Sequence, residues 1–545
     1  MSEMVRGQLA DIHKRKIYPA EIQVDNGKIS AIRQIEEAPD CFIMPGFVDA
    51  HVHIESSMLA PSEFAPLALR HGTLATVSDP HEIANVLGKR GVEWMAENGK
   101  DAPLHFHFGA PSCVPATGFE TAGAELTLDE IRELFESGTC QYLAEMMNWP
   151  GVLFEAEDVM AKIKLSKQLG KPLDGHAPGL RGDQAKNYFK SGMETDHECF
   201  SLEEAMEKAA LGVKILIREG SAARNFDDLI EVIRHFPEQV MFCSDDKHPD
   251  DLVLGHINQL VSRALKKGFD LFDVLRAATL NPVSHYKLPL GLLREGDPAD
   301  FVLVENMKSL KVIQTWRKGT LVAENGKAIW NPAPLREKPN HFLAHMPEES
   351  AYSSFSSQSN FTQVNCMEAI EGQLITRKST KSLPVQNGTI QADPEKDVLH
   401  ISVVNRYQQF PPANAFISGF GLKEGAIASS VAHDSHNVVV VGTSAYWVKK
   451  AVDLVMKSEG GISLVHPGEE MVLPLPIAGL MSDKKGEEVA ALYEKLNEAS
   501  QKMGARPKAP FMLLSFMALL VIPELKLSDK GLFDGLKFEF TKVEI

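Results

Sequence analysis

Cysteine is scarce and unorganised in this chain. Six residues (Cys41, Cys113, Cys140, Cys199, Cys243 and Cys366) are spread over 545 positions, with no Cys-x-x-Cys pair. That excludes a disulfide scaffold and makes a reducing cytosol the expected compartment. An excess of positive charge is also missing: 56 Lys and Arg stand against 73 Asp and Glu, a net charge of −17. A nucleic-acid surface needs a basic patch, so nucleic acid is not an expected partner. The first residues are mixed and polar, without an apolar signal core. The longest apolar run, Phe511–Ile522, is interrupted by Ser515 and is too short to cross a bilayer. It reads as buried core, and no membrane partner is expected. Gly419-Phe-Gly421 has no following Gly-Lys-Ser/Thr, so a phosphate loop is excluded as well.

What is present is a long alternation of strand-like and helix-like stretches. The strand candidates are Phe42–Val52, Leu74–Ser78, Leu104–Phe108, Tyr142–Glu145, Leu173–His176, Glu194–His197, Lys214–Arg218 and Val240–Ser244. Amphipathic runs such as Pro61–His71, Val86–Asn98 and Glu157–Leu169 lie between them. Eight strands alternating with helices over about 240 residues fit a (β/α)8, TIM-like barrel. Two hairpin signals flank it. Asn26-Gly27 sits between alternating apolar runs, and a second turn falls at Gly319. These read either as two unrelated hairpins or as one small sheet built from residues 1–43 and 291–335, on both flanks of a barrel of residues 44–290. The first strand of that small sheet is expected to be short or absent. Prolines and serines then mark a crossover, and residues 336–545 are expected to form a C-terminal α/β domain.

The chemistry clusters at predicted strand ends, where a barrel of this kind places its active site. Met44-Pro-Gly-Phe-Val-Asp-Ala-His-Val-His53 closes the first strand with two histidines. Residues at i and i+2 of a strand face the same way, so His51 and His53 can serve one metal ion. Asp49 is placed to orient the first histidine. The fourth strand ends in Glu145, the fifth in His176, the sixth in His197, and the eighth in Ser244-Asp-Asp-Lys-His248. Each residue alone has an ordinary structural reading. Together they form one constellation at one barrel mouth. By contrast, His105-Phe-His107 reads as packing or as support behind the ligands, and Glu55 as an acid supporting the ligands. His433-Asp-Ser-His436 lies outside the barrel and is left out of the expected site.

His-x-His, a single acid, two further histidines and a final Asp, in this order on a barrel, resemble the amidohydrolase superfamily. The flanking strings Val24-Asp-Asn-Gly-Lys-Ile29 and Gly296-Asp-Pro-Ala-Asp-Phe-Val-Leu-Val304 agree with it, and the resemblance implies that both flanks form one small β-sandwich domain. Within the superfamily, the chain is most similar to bacterial enzymes that deaminate adenine. Ser78-Asp-Pro-His-Glu-Ile-Ala-Asn85, Ile217-Arg-Glu-Gly-Ser221, Ser244-Asp-Asp-Lys-His-Pro-Asp-Asp251 and Ala432-His-Asp-Ser-His-Asn437 carry that likeness. The resemblance implies hydrolytic deamination of adenine to hypoxanthine in purine salvage, with two divalent ions as cofactors. Manganese or iron(II) is expected, and zinc also suits the donors. His51 and His53 would hold the first ion, His176 and His197 the second, and Glu145 would join them. Asp245 would bind the first ion and move the proton, with Asp246 a competitor for that role. Glu219 is a candidate for the purine edge, or else half of an ion pair with Arg218. His81 and His248 are further candidates for contact with substrate. A homo-oligomer, in the first instance a dimer, is expected. The competing functions are another binuclear amidohydrolase, acting on a cyclic amide or N-acyl group, and a non-catalytic metal-binding homologue. A zinc deaminase of the cytidine type is excluded, because the chain has no Pro-Cys-x-x-Cys.

Overall fold

The computed structural model describes residues 2–221 and 223–545. Eight parallel strands form the expected barrel: β1 (Phe47–Val52), β2 (Thr73–Ser78), β3 (His105–Ala110), β4 (Tyr142–Met146), β5 (Leu173–Gly175), β6 (Thr195–Asp196), β7 (Lys214–Arg218) and β8 (Val240–Cys243). β1 to β5 form one ladder and β6 to β8 another. The seam after β5 is bridged where Glu194 N–H donates to Leu173 O at 2.8 Å, and where Gly175 N–H donates to Thr195 Oγ1 at 3.1 Å. The ring closes when Asp245 N–H, just past β8, donates to His51 O at 2.9 Å. Helices cover the outside, so both faces of β1, β2, β4 and β8 are buried throughout. This explains why these strands read as continuous apolar runs rather than as alternation.

The strand expected over Phe42–Val52 is two strands. Phe42–Pro45 belongs to the flanking sheet, and β1 begins at Phe47. Gly46 is the joint between them. A Cβ there would lie 2.2 Å from Leu74 Cδ1, so only glycine permits so close an approach to β2. The flanking sheet has eight strands in one hydrogen-bonded order, drawn from both ends of the barrel sequence. It covers its own core of Leu9, Ile22, Ile43, Phe301 and Trp316. The expectation of a missing first strand is overturned. Ser2–Asp11 pairs along its full length with Lys16–Asp25. Its polar residues hid it, because Val5, Leu9 and Ala10 are the only apolar side chains it buries among Glu3, Arg6, Gln8 and Asp11.

Beyond the crossover the chain is rich in β structure. A ten-stranded sheet runs from Ser354–Phe355 to Glu469–Pro474, antiparallel except for the parallel pairing of Cys366–Glu368 with Phe416–Ser418. The helix Ala445–Lys457 packs on it, with Ser444 accepting a hydrogen bond from Trp447 N–H at its start. A three-stranded sheet follows at residues 525–540. This region is tied to the barrel top: Thr121 N–H donates to Asp529 Oδ1 at 2.9 Å, and Asn437 Nδ2 donates to Thr121 O at 2.9 Å. Among the described residues, no helix is long and apolar enough to cross a membrane.

Candidate metal centre

The strand ends bring six donor side chains together at the mouth of the barrel. His53 Nδ1 faces the Asp79 carbonyl at 3.1 Å. A hydrogen bond from that nitrogen leaves Nε2 with its lone pair free, as a ligand requires. His51 Nε2 lies 3.2 Å from His53 Nε2. Glu145 stands between two histidine pairs. Its Oε1 is 3.4 Å from His53 Nε2 and 4.0 Å from His51 Nε2, while Oε2 is 2.5 Å from His176 Nδ1 and 3.2 Å from His197 Nε2. The His51 and His197 rings stack at 4.0 Å. Asp245 Oδ1 completes the first group, 3.3 Å from His53 Nε2 and 3.8 Å from His51 Nε2. Its backbone has φ +54°, a left-handed turn that Asp tolerates better than most residues.

Buried charges fix this geometry. Arg218 Nη1 donates to Asp245 Oδ2 at 2.5 Å, and the same guanidinium grips both oxygens of Glu198. Burial opposes its charge, but Glu198 and Asp245 hold it above the ordinary arginine value. Burial likewise pushes Glu145 up, and the His197 and His176 charges outweigh it, keeping the carboxyl well below the usual range. The fully buried Lys208 Nζ ties the loops after β5 and β6 together, with Ala177 O, Asp196 Oδ2 and Glu204 Oε1 each at 2.6 Å. Asp49 does not orient the His51 ring. Its carboxylate accepts from Ser244 N–H (2.9 Å), Ser244 Oγ and His256 Nε2 (2.8 Å), and so holds the turn that presents Asp245.

Two candidates for substrate contact lie elsewhere. Glu219 follows Arg218, so the strand's alternation sends the two side chains to opposite sides. Arg218 turns into the barrel mouth, and Glu219 pairs with Arg263 at 2.8 Å beside a separate cavity. Neither the purine edge nor an Arg218–Glu219 pair describes it. His248 Nδ1 is 2.7 Å from Tyr493 Oη and lines a different cleft. His81 does reach the site, with Nδ1 3.1 Å from Asp79 Oδ2 and 3.5 Å from Glu145 Oε1. Asp246 also lines it and accepts from Ser56 Oγ at 2.6 Å. Glu55 sits behind, accepting from Ile83 N–H at 3.2 Å, with burial pushing its carboxyl up to about 7.

The sequence reading missed a group supplied from outside the barrel. His433 Nδ1 and His436 Nε2 both bond the carboxylate of Glu82, and His433 and Asp434 line the same cavity as five of the six donors, His51 lying behind them. The His433 ring stacks on Phe516 at 4.6 Å, and Leu519, Val521 and Ile522 extend that apolar wall. The polar run His433-Asp-Ser-His-Asn437, directly before the four valines of Val438–Gly442, was the available signal.

The donor set suits divalent cations. Six carboxylates line the cavity (Glu82, Glu145, Glu198, Asp245, Asp246 and Asp434) against one guanidinium, that of Arg218. Buried negative charge of this density calls for cations, and several triads of these groups have ligand atoms within 4.8 Å of one another.

An eight-stranded parallel barrel bearing these donors at its mouth defines a metal-dependent hydrolase of the amidohydrolase family, which residues 42–322 match. Residues 373–539 match the adenine deaminase C-terminal domain. The chain belongs to the adenine deaminase family. It is 52% identical to an adenine deaminase of Salinibacter ruber over 98% of both chains, and 52% identical to one of a Sulfurovum species over the same shares. Among solved structures, N-acetyl-D-glucosamine-6-phosphate deacetylase from Mycobacterium smegmatis covers 59% of this chain and 99% of its own, at 17% identity and a TM-score of 0.46.

Proposed function

We propose that the chain hydrolyses adenine to hypoxanthine and ammonia at two divalent ions held by His51, His53, Glu145, His176, His197 and Asp245. Family membership over the whole chain supports the substrate. The geometric support is Glu145, whose two oxygens each face a separate histidine pair. Manganese or iron(II) is the proposed native ion, and zinc fits the same donors. Bound there, the cations supply the positive charge that activates a water molecule for attack.

The protein's own groups handle the protons. Asp245 has Oδ2 fixed by Arg218, which leaves Oδ1 toward the histidines as a positioned base. It takes a proton from the attacking water as the oxygen bonds to C6 of adenine. The C6=N1 π pair moves to N1, which takes a proton from an exchangeable acid of the site, and the C6 hydroxyl proton released in the last step replaces it. Asp245 then returns its proton to the amine, the C6–N bond breaks, and ammonia leaves. Loss of the C6 hydroxyl proton yields the N1–H lactam of hypoxanthine. The wall of Phe516, Leu519 and Ile522 keeps bulk water from the ring.

We place the enzyme in cytosolic purine salvage, acting as a homo-oligomer with the dimer as the simplest form. The six free cysteines support a reducing compartment. Metal-stripped enzyme should be inactive, and about two equivalents of manganese, iron(II) or zinc per chain should restore ammonia release from adenine. No turnover with any of the three would overturn the reading, and so would saturation at one equivalent.

A further inference from the structure

The purine must be recognised as well as attacked, and most charged groups that the barrel turns into the cavity already have partners among the described residues. Glu145 and Asp245 face the histidines, Glu198 is gripped by Arg218, Glu82 is bonded by His433 and His436, and Asp246 accepts from Ser56. Asp434 is different. It comes from the C-terminal region, is 3% exposed, and lines the cavity beside His81, whose Nε2 is 4.0 Å from Oδ1. Its Oδ2 is buried with no hydrogen-bond partner, the only oxygen of the six cavity carboxylates in that state among the described residues. A buried acceptor without a partner is costly, so a bound donor is the natural completion.

Adenine narrows what that donor can be. Its six-membered ring and N3 offer only acceptors, and its amine lies on C6, at the reacting end. The one remaining donor is the imidazole N–H. The apolar wall of Phe516, Leu519, Val521 and Ile522 suits the flat faces of the ring, leaving an edge to be read by a carboxylate. We propose that Asp434 accepts a hydrogen bond from the imidazole N–H of adenine, and that this contact makes the free base, rather than an N9-substituted purine, the substrate. The C-terminal region is therefore part of the substrate site. The proposal rests on the adenine reading above and extends it to specificity.

The test compares adenine with 9-methyladenine, which carries no imidazole N–H, in the wild type and in Asp434→Ala and Asp434→Asn. Where 9-methyladenine is not turned over, its inhibition constant against adenine replaces the rate. A site built around a substrate N–H rejects the analogue lacking it by up to about 10⁴-fold. Asp434→Ala should lower kcat/KM for adenine about 100-fold, chiefly through KM, and change the 9-methyladenine value by less than about threefold. Asp434→Asn keeps a carbonyl acceptor and should recover much of the loss. Metal content of two equivalents and an unchanged melting temperature establish that the variants are folded. An unaffected adenine rate in Asp434→Ala would overturn the proposal, and so would an equal loss for both ligands. Failure of the parent reading is separate: the wild type itself would not deaminate adenine.

Discussion

Strands β1 and β3 carry the same motif, His51-Val-His53 and His105-Phe-His107, and the two pairs have opposite fates. In β1 the histidines fall at the C-terminal end, next to the turn after β8 that carries Asp245. They meet Glu145, Asp245 and each other. In β3 the pair opens the strand, so parallel packing carries it toward the opposite end of the barrel. There His107 stacks on Tyr142 at 5.7 Å, and neither Nε2 has a hydrogen-bond partner among the described residues. Burial pushes His107 down to about 3 and His105 to about 4. Spacing makes a pair able to act together, and position along the strand decides what the pair can act on.

That contrast can be broken first at β1. His53→Asn should remove metal binding and reduce turnover by on the order of 10³-fold, beyond the 10–100-fold expected for a residue that only supports a ligand. Elemental analysis together with an ammonia-release assay reads both effects. Retained metal and activity would erase the distinction between the two strands.

A middle-sized effect is expected at the wall that the C-terminal region adds. Lys526 is fully buried, and its Nζ donates to Leu374 O at 2.7 Å and Phe516 O at 2.8 Å, both on residues lining the cavity. A neutral amine has two N–H bonds, enough for these two carbonyls. Burial pushes this lysine down to about 7 from 10.5. Between those values the unfolded chain binds more protons than the folded one, so stability rises with pH through that window. Lys526→Met should remove up to about 1.4 kcal/mol per pH unit of that slope. Denaturant melts between pH 7 and 10 would show it, and parallel slopes in wild type and variant would refute it.

The smallest effect at neutral pH belongs to β3. His107→Phe should leave metal content and activity intact, and alter stability at pH 7 by about 1 kcal/mol or less. Its signature lies in acid. A buried histidine held at about 3 binds fewer protons folded than unfolded below 6.5, so stability falls as the pH drops through that interval. The phenylalanine variant should lose up to about 1.4 kcal/mol per pH unit of this acid limb. Loss of activity at pH 7 would give β3 a catalytic role.

Legibility followed the same division. The barrel strands could be read because parallel strands covered on both faces are long apolar runs, and the donors because they end those runs. Ser2–Asp11 could not be read, since its few apolar residues stand among polar ones although the strand is paired on both sides, with Lys16–Asp25 and Phe42–Pro45. Arg218 and Glu219 are neighbours in sequence, and nothing in their identity says which one turns inward. The His433–His436 string was visible, but Glu82, the partner of His433, lies 351 positions earlier.

The sequence by itself determined the barrel, the order of its donors, and the family to which the chain belongs. These are local properties, set by apolar runs and by which residue follows each run. Tertiary structure decided which acids face the mouth, which histidine pair meets which carboxylate, and that a turn of the C-terminal region closes the site. Those outcomes depend on through-space burial of charge, where a partner hundreds of residues away fixes the orientation of a side chain.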